Sequence, residues 1–241
     1  MTNQYIPERA MFIYAHPDDI EFGVAGTAAK WAANGCEVTY VLVTDGNIGS
    51  HDESLTAEQL TAIRHAEQRA AAAVVGVKNV AFMGEHDGLI EPTLALRKKI
   101  VRLIRQYKPN VVVSGDPRTT FASEYYINHP DHRAVAIAVL DAVFPASEMR
   151  LLYPEFEAEG ISAYKINYLY ISYADDPNLY IDVTDYFDKK IEALLQHQPS
   201  QFKDWDPRPM LAEWNSEAGS VIGVKYAETF RKFVLHEVGE E

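Results

Sequence analysis

The sequence predicts an α/β fold, a single domain in which helices cover both faces of a mostly parallel sheet. Three observations predict it. Short apolar runs of strand length alternate with longer stretches of helical periodicity. The runs are apolar at successive positions, as strands buried on both faces must be. Each run ends in Gly, Asp, Asn or Pro, residues that turn the chain.

Residues 10–14 form the first strand and break into Ala15-His16-Pro17-Asp18-Asp19. A helix over residues 22–34 follows, stopped by Gly35. Its Gly23-Val24-Ala25-Gly26 lacks the dinucleotide-binding glycine pattern, and the acids before it stand where a pyrophosphate would need bare amides. A nicotinamide or flavin dinucleotide is therefore not expected. Strand two, residues 38–43, leads into Thr44-Asp45-Gly46-Asn47. Thr56-Ala57-Glu58-Gln59 is a capping box that opens a helix to Val75, with Gly76 as its stop. Arg64 and Glu67 lie three apart on it, the spacing of a surface ion pair.

Strand three, residues 80–83, ends in Gly84-Glu85-His86-Asp87-Gly88. A helix from Pro92 carries the stripe Leu96, Ile100, Leu103, Ile104 and Tyr107, and residues 110–114 are strand four. The irregular segment 115–128, with Phe121, Tyr125 and Tyr126, is long for a connection, and such loops usually carry function. Asn128-His129-Pro130-Asp131-His132-Arg133 then opens an apolar helix to Val143. Beyond it come a Pro-punctuated linker (144–159), strands over 167–173 and 180–183, and a helix over 185–198. The expected organisation is one domain over residues 1–241. About residues 145–241 form an extension whose end, with Trp214 and the run 226–235, packs on the sheet or builds a subunit contact.

A chain of 241 residues, 47% apolar and 24% charged, is ample for one such core. A net charge of −13 disfavours nucleic acid and anionic membranes as partners. No stretch has the length of a membrane-spanning helix, and the N-terminus has no leader pattern. Cys36, alone, reads as a small buried filler. These features suit a cytoplasmic enzyme or binding protein.

The two histidine stretches carry the chemistry. Taken singly, each has a plain structural account: Asp18 or Asp19 caps a helix, and His129 or Asn128 caps another. Taken together they supply His16, Asp19 and His132, the N, N and O ligands of a catalytic zinc site with an open fourth position. Asp18 and His129 then flank it. Asp18 can take a proton from water as general base, and His129, acting while protonated, can donate to an oxyanion or a leaving amine. Asp131 stands where a carboxylate behind the ligands can orient an imidazole. His51, His65 and His86 have no partner spacing and read as surface or satisfied histidines; His197, with Ser200-Gln201 after it, reads equally as a residue of the site or as packing at a helix end.

With those residues in view, the chain resembles the PIG-L/LmbE-like zinc de-N-acetylases. The resemblance rests on Ala15-His16-Pro17-Asp18-Asp19, Thr44-Asp45-Gly46-Asn47, Arg64 with Glu67, Asp87-Gly88 and His129-Pro130-Asp131-His132, in order from Ala15 to about Arg133. It implies a Rossmann-like sheet and a hydrolase that removes acetyl from an N-acetylglucosamine-type amide. It implies one zinc ion per chain on His16, Asp19 and His132, with Asp18 as base and His129 as donor. It also implies that Arg64 and Asp87 help to hold the sugar, and that the chain forms a trimer or hexamer.

Two departures stand out. Asn47 replaces a frequent Glu, which alters a contact to a sugar hydroxyl. Ile127 occupies the place of an oxyanion-polarising Tyr, so Tyr126 or Tyr125 is the nearest candidate for that role.

The expected function is hydrolytic removal of an N-acetyl group from a small amino sugar. The alternatives are an amidase on a thiol or other glucosaminide conjugate, and a non-catalytic metal-dependent sugar-binding protein.

Overall fold

A computed structural model describes residues 5–203 and 205–237. β1 (Arg9–Tyr14), β2 (Glu37–Thr44), β3 (Asn79–Glu85), β4 (Val111–Gly115) and β7 (Tyr168–Ser172) are parallel neighbours in the order β3-β2-β1-β4-β7. Beyond β7 the sheet continues through β9 (Ala227–Val234), antiparallel to both its neighbours, to the edge strand β8 (Leu179–Asp182). A separate small hairpin, β5 (Phe121–Ser123) with β6 (Tyr126–Ile127), rises from the segment that sequence alone reads as irregular.

Alternation along β1 divides the core. Ala10, Phe12 and Tyr14 face α2 (Ala25–Ala33) and α3 (Ala57–Val74), where Trp31, Ala71 and Ala72 pack. Met11 and Ile13 face α4 (Leu94–Tyr107) and α5 (Pro130–Asp141), meeting Ile100, Ile104 and Val139. Each such aliphatic, fully buried, contributes about 1.5–3 kcal/mol. A third cluster joins α7 (Phe187–Leu195) to α8 (Arg208–Ile222) through Phe187, Ile191, Leu194 and Leu211. A short helix, α6 (Pro154–Ala158), buries Phe156 under α4.

Helix ends follow the expected chemistry. The Thr56 hydroxyl accepts from the Gln59 backbone amide at 3.2 Å, and the Thr56 amide donates to Gln59 Oε1 at 2.8 Å. The helix expected from Pro92 begins instead at Leu94, because Thr93 caps it by accepting from the Leu96 amide.

The helix expected over residues 22–34 is broken at Val24 into α1 (Asp19–Gly23) and α2. A buried ion pair occupies the break. Lys190 Nζ donates to the Gly23 carbonyl at 2.9 Å and lies 2.7 Å from Glu228 Oε1. Glu228 accepts the Gly26 and Thr27 amides at 3.0 and 2.7 Å, so a carboxylate supplies the N-terminal cap of α2. A Cβ on Gly26 would meet that carboxylate at 2.9 Å, which accounts for glycine there. The run 226–235 is thus a strand inside the sheet. Among the described residues no helix is long and apolar enough to cross a membrane.

Candidate active site

Strand order reverses between β1 and β4: the chain moves from β1 toward β3 on one side and toward β7 on the other. Loops leaving these two carboxyl ends diverge and open a crevice, the usual place for a ligand in an open α/β sheet. Residues 15–19 follow β1, and residues 116–132 follow β4. Both histidine stretches therefore meet in this crevice, 116 positions apart in sequence.

His16 Nδ1 lies 3.1 Å from His132 Nε2 and 3.5 Å from Asp19 Oδ2; His132 Nε2 is 3.1 Å from Asp19 Oδ1. Ligands 2.0–2.1 Å from zinc at tetrahedral angles stand roughly 3.3 Å apart, so this set can hold a divalent ion without rearrangement. In a second grouping, His16, His129 and Asp131, the Asp131 carboxylate and His129 Nδ1 already accept backbone amides. Asp131, fully buried, accepts the Gly88 amide at 2.7 Å and the Ile90 amide at 3.3 Å. His129 Nδ1 accepts the Asp131 amide at 3.2 Å as the cap of α5.

Carboxylates and an amide orient the two imidazoles from behind. His16 Nε2 is 3.0 Å from Asp87 Oδ1 and 3.3 Å from Asp131 Oδ2, leaving Nδ1 toward Asp19 and His132. His132 Nδ1 lies 2.9 Å from Asn128 Oδ1, which fixes its proton there and frees Nε2. Burial pulls His16 down, but Asp131, Asp19 and Asp87 outweigh it and lift it to about 12. Burial pushes Asp19 up, and His132 and His16 reverse this to hold its carboxyl well below the usual range.

Asp18 ligates nothing in this cluster. It adopts φ 99°, a left-handed conformation that costs a non-glycine residue of order 1–3 kcal/mol. Its Oδ2 accepts from Arg64 Nη2 at 3.0 Å. Burial raises its carboxyl to about 6 despite the Arg64 cation.

Arg64 is itself buried, and it also donates to the Pro17 carbonyl at 2.5 Å and the Gly46 carbonyl at 3.2 Å. A Cβ on Gly46, where φ is 61°, would collide with that guanidinium. Arg64 and Glu67 do not form the surface pair that their spacing suggests. Glu67 is buried too, and accepts from the Ser200 amide at 3.1 Å and its hydroxyl at 2.5 Å.

The remaining predicted residues are distributed as follows. His129 borders the cavity, its ring edge-on to His16 at 4.8 Å. Burial lowers its pKa, and the charge on His16 lowers it further. Because Nδ1 accepts an amide hydrogen, the neutral ring carries its proton on Nε2. The direction of this shift runs against the protonated His129 expected from the sequence. Tyr126 lines the cavity from the hairpin, half-exposed, whereas Tyr125 is 94% exposed and does not line it. Asn47 does not line the cavity either; its Oδ1 accepts the Asp87 amide at 3.2 Å. His65 pairs with Asp45 at 2.8 Å, and His86 donates to the Asp87 carbonyl.

The cavity, about 890 Å³, is within the range that encloses small organic ligands. Besides the cluster it is lined by Phe22, Asp116, Tyr173, Asp175, Met210 and Trp214. Sequence reasoning missed the last two, which come from the tail, and Asn128. Adjacency to His129 was a usable signal for Asn128; nothing local marked Trp214.

Fold and site together define an α/β protein whose sheet-end crevice gathers two histidines and several carboxylates around a cavity of small-ligand size. Residues 11–143 match the family model PIG-L: GlcNAc-PI de-N-acetylase. The chain belongs to this family.

A diacetylchitobiose deacetylase from Thermococcus kodakarensis is 30% identical over 227 residues, covering 93% of this chain and 82% of the relative. A Bacillus anthracis protein named probable N-acetyl-alpha-D-glucosaminyl L-malate deacetylase 2 is 32% identical over 197 residues, 80% of each chain. Among solved structures, the N,N'-diacetylchitobiose deacetylase from Pyrococcus horikoshii, complexed with its inhibitor MPG, superimposes with a TM-score of 0.87. It is 31% identical, and the match covers 95% of this chain and 84% of that one.

Proposed function

We propose that this chain is a metal-dependent, cytoplasmic hydrolase that removes the acetyl group from a small N-acetylglucosamine-type substrate. The observation that carries the reading is the division of acids in one crevice. Asp19 joins His16 and His132 in an N, N, O set, while Asp18 beside it stays outside that set.

His16 Nδ1, Asp19 and His132 Nε2 are the residues that would hold one divalent ion, zinc by the donor chemistry. Bound there, such an ion supplies a Lewis acid for the amide carbonyl and lowers the pKa of water. Asp18 takes the proton of the attacking water and later passes it to the departing nitrogen. Arg64 holds the Asp18 carboxylate at 3.0 Å and keeps its pKa from rising further. His129 donates its Nε2 hydrogen to the carbonyl oxygen as negative charge develops there. Asp131 and Asn128 keep the two imidazoles aimed. Asp87 and Tyr126 border the space for the sugar, with Asn47 fixing the Asp87 backbone.

Acetate release from N-acetylglucosamine, diacetylchitobiose and inositol- and malate-linked N-acetylglucosaminides tests this, with and without chelator and with zinc restored. The expected result is release that chelator abolishes and zinc recovers. Turnover unaffected by complete metal removal, or no release from any of the four by zinc-loaded protein, overturns it. Sedimentation of the same sample reads whether the chain assembles into the trimer or hexamer expected from its resemblance.

A further inference from the structure

Behind Asp18 runs a buried polar chain that the steps above do not use. The Asp18 amide donates to Gln68 Oε1 at 3.1 Å. Gln68 Nε2 in turn donates to Glu21 Oε1 at 2.9 Å. The other oxygen of Glu21 lies 3.4 Å from His197 Nε2. Gln68, Glu21 and His197 are each fully buried and come from α3, α1 and the segment just after α7. Burying three polar side chains together is costly unless their bonds are made, so their grouping beside a single backbone amide calls for an account.

That amide belongs to the residue with the unusual backbone. Asp18 sits at φ 99°, and a non-glycine residue stays there only if its surroundings hold it. Arg64 holds the Pro17 carbonyl and the Asp18 side chain; Gln68 holds the peptide nitrogen between them. The carboxamide is matched to the task. Its two ends face an N–H donor and a carboxylate acceptor, which one amide satisfies and which neither a carboxylate nor an alkyl group can.

We propose that Gln68 is a positioning residue for Asp18, anchored by Glu21 and His197, and that it sets the aim of the carboxylate by fixing the backbone of the left-handed turn. It touches neither substrate nor metal ligands. This rests on Asp18 being the base, and the test separates the two.

Gln68→Met removes both bonds at similar volume. Turnover should fall about 10²-fold, the loss that a displacement of about 1 Å can cause, with KM and bound zinc unchanged. In an Asp18→Asn background the same change should cost nothing further, because the group it positions is already disabled. Gln68→Glu sets two carboxylates against each other and should be as damaging. Combined with Glu21→Gln, it restores an amide facing a carboxylate with donor and acceptor reversed, and turnover should return.

Losses from Gln68→Met and Asp18→Asn that multiply overturn the proposal, as does a Gln68→Met variant that raises KM or sheds zinc while keeping kcat. Failure of the reciprocal pair to regain turnover, folded or not, overturns it too. If Asp18→Asn alone keeps wild-type kcat, the assignment of the base fails first.

Discussion

Arg64 Nη2 stands 3.0 Å from Asp18 Oδ2, both side chains largely withdrawn from solvent. The guanidinium is also spent on the Pro17 and Gly46 carbonyls, so it faces the proposed base and the turn that carries it. Removing one partner of a buried pair leaves the other charge uncompensated, a cost of about 3–5 kcal/mol. Arg64→Met should therefore lose roughly 3 kcal/mol in urea unfolding, with a drop in kcat larger than the rise in KM. A variant of normal stability whose KM alone rises would show instead that Arg64 touches the sugar.

The pH profile follows from Asp18. A carboxyl raised by burial to about 6 loses its base form earlier on acidification than an ordinary aspartate. kcat/KM should fall below about pH 6, and a bound cation would move that limb lower. Burial and then His16 lower the pKa of His129, which favours the neutral ring proposed as the donor. His129→Ala should lower kcat about 10²–10³-fold by the same factor from pH 7 to 9. An alkaline limb that disappears in this variant would restore the protonated-acid role.

Asp18 and Asp19 are neighbours to which we assign separate tasks. Asp18→Asn should retain zinc and lose turnover by about 10²–10⁴-fold. Asp19→Asn should bind zinc weakly and recover part of its activity as zinc is raised. Zinc content and turnover, titrated for both, decide the division; an Asp18→Asn protein that sheds zinc would reverse it.

Asn128 holds His132 Nδ1 at 2.9 Å and would act on the proposed ligand set through that ring. Partners behind metal ligands commonly contribute 10–100-fold in affinity. Asn128→Ala should weaken zinc binding within that range while leaving unfolding in urea nearly unchanged. Competition against a chromophoric chelator measures it, and an unchanged affinity would remove Asn128 from the site.

Lys190 and Glu228 each expose 1% of their side chains. Lys190→Met should destabilise by about 3–5 kcal/mol, because Glu228 is left charged in the core. Adding Glu228→Gln should recover part of the loss, since it removes the uncompensated charge and its one amide oxygen still accepts one of the two α2 amides. Urea titration of the two variants reads this directly, and equal stabilities would refute it.

The parallel half of the fold was legible because its signal is local. β1 announces itself by five apolar residues in a row, and α3 by its capping box. The site was legible where it lies in short motifs, at His16 to Asp19 and at His129 to His132. What escaped is what distant segments decide. The break at Val24 depends on Lys190 and Glu228, more than 160 positions away. Arg64 and Glu67 looked like a surface pair because spacing cannot tell that both are buried. The 226–235 run has strand-like residues, but its place in the sheet depends on a gap left by β7 and β8.

Because β9 lies between β7 and β8, the order of synthesis and the order of the sheet disagree. A nascent chain leaves the ribosome with β8 complete and no neighbour to receive it. At about 5–20 residues per second, the intervening 45 or so residues take roughly 2–9 s to appear. Over that interval the outer edge of β7 is unpaired, and the start of α2 waits for the Glu228 carboxylate that caps it. The turn that carries the first histidine motif is made early, yet its setting is finished only by a strand translated about 200 residues later.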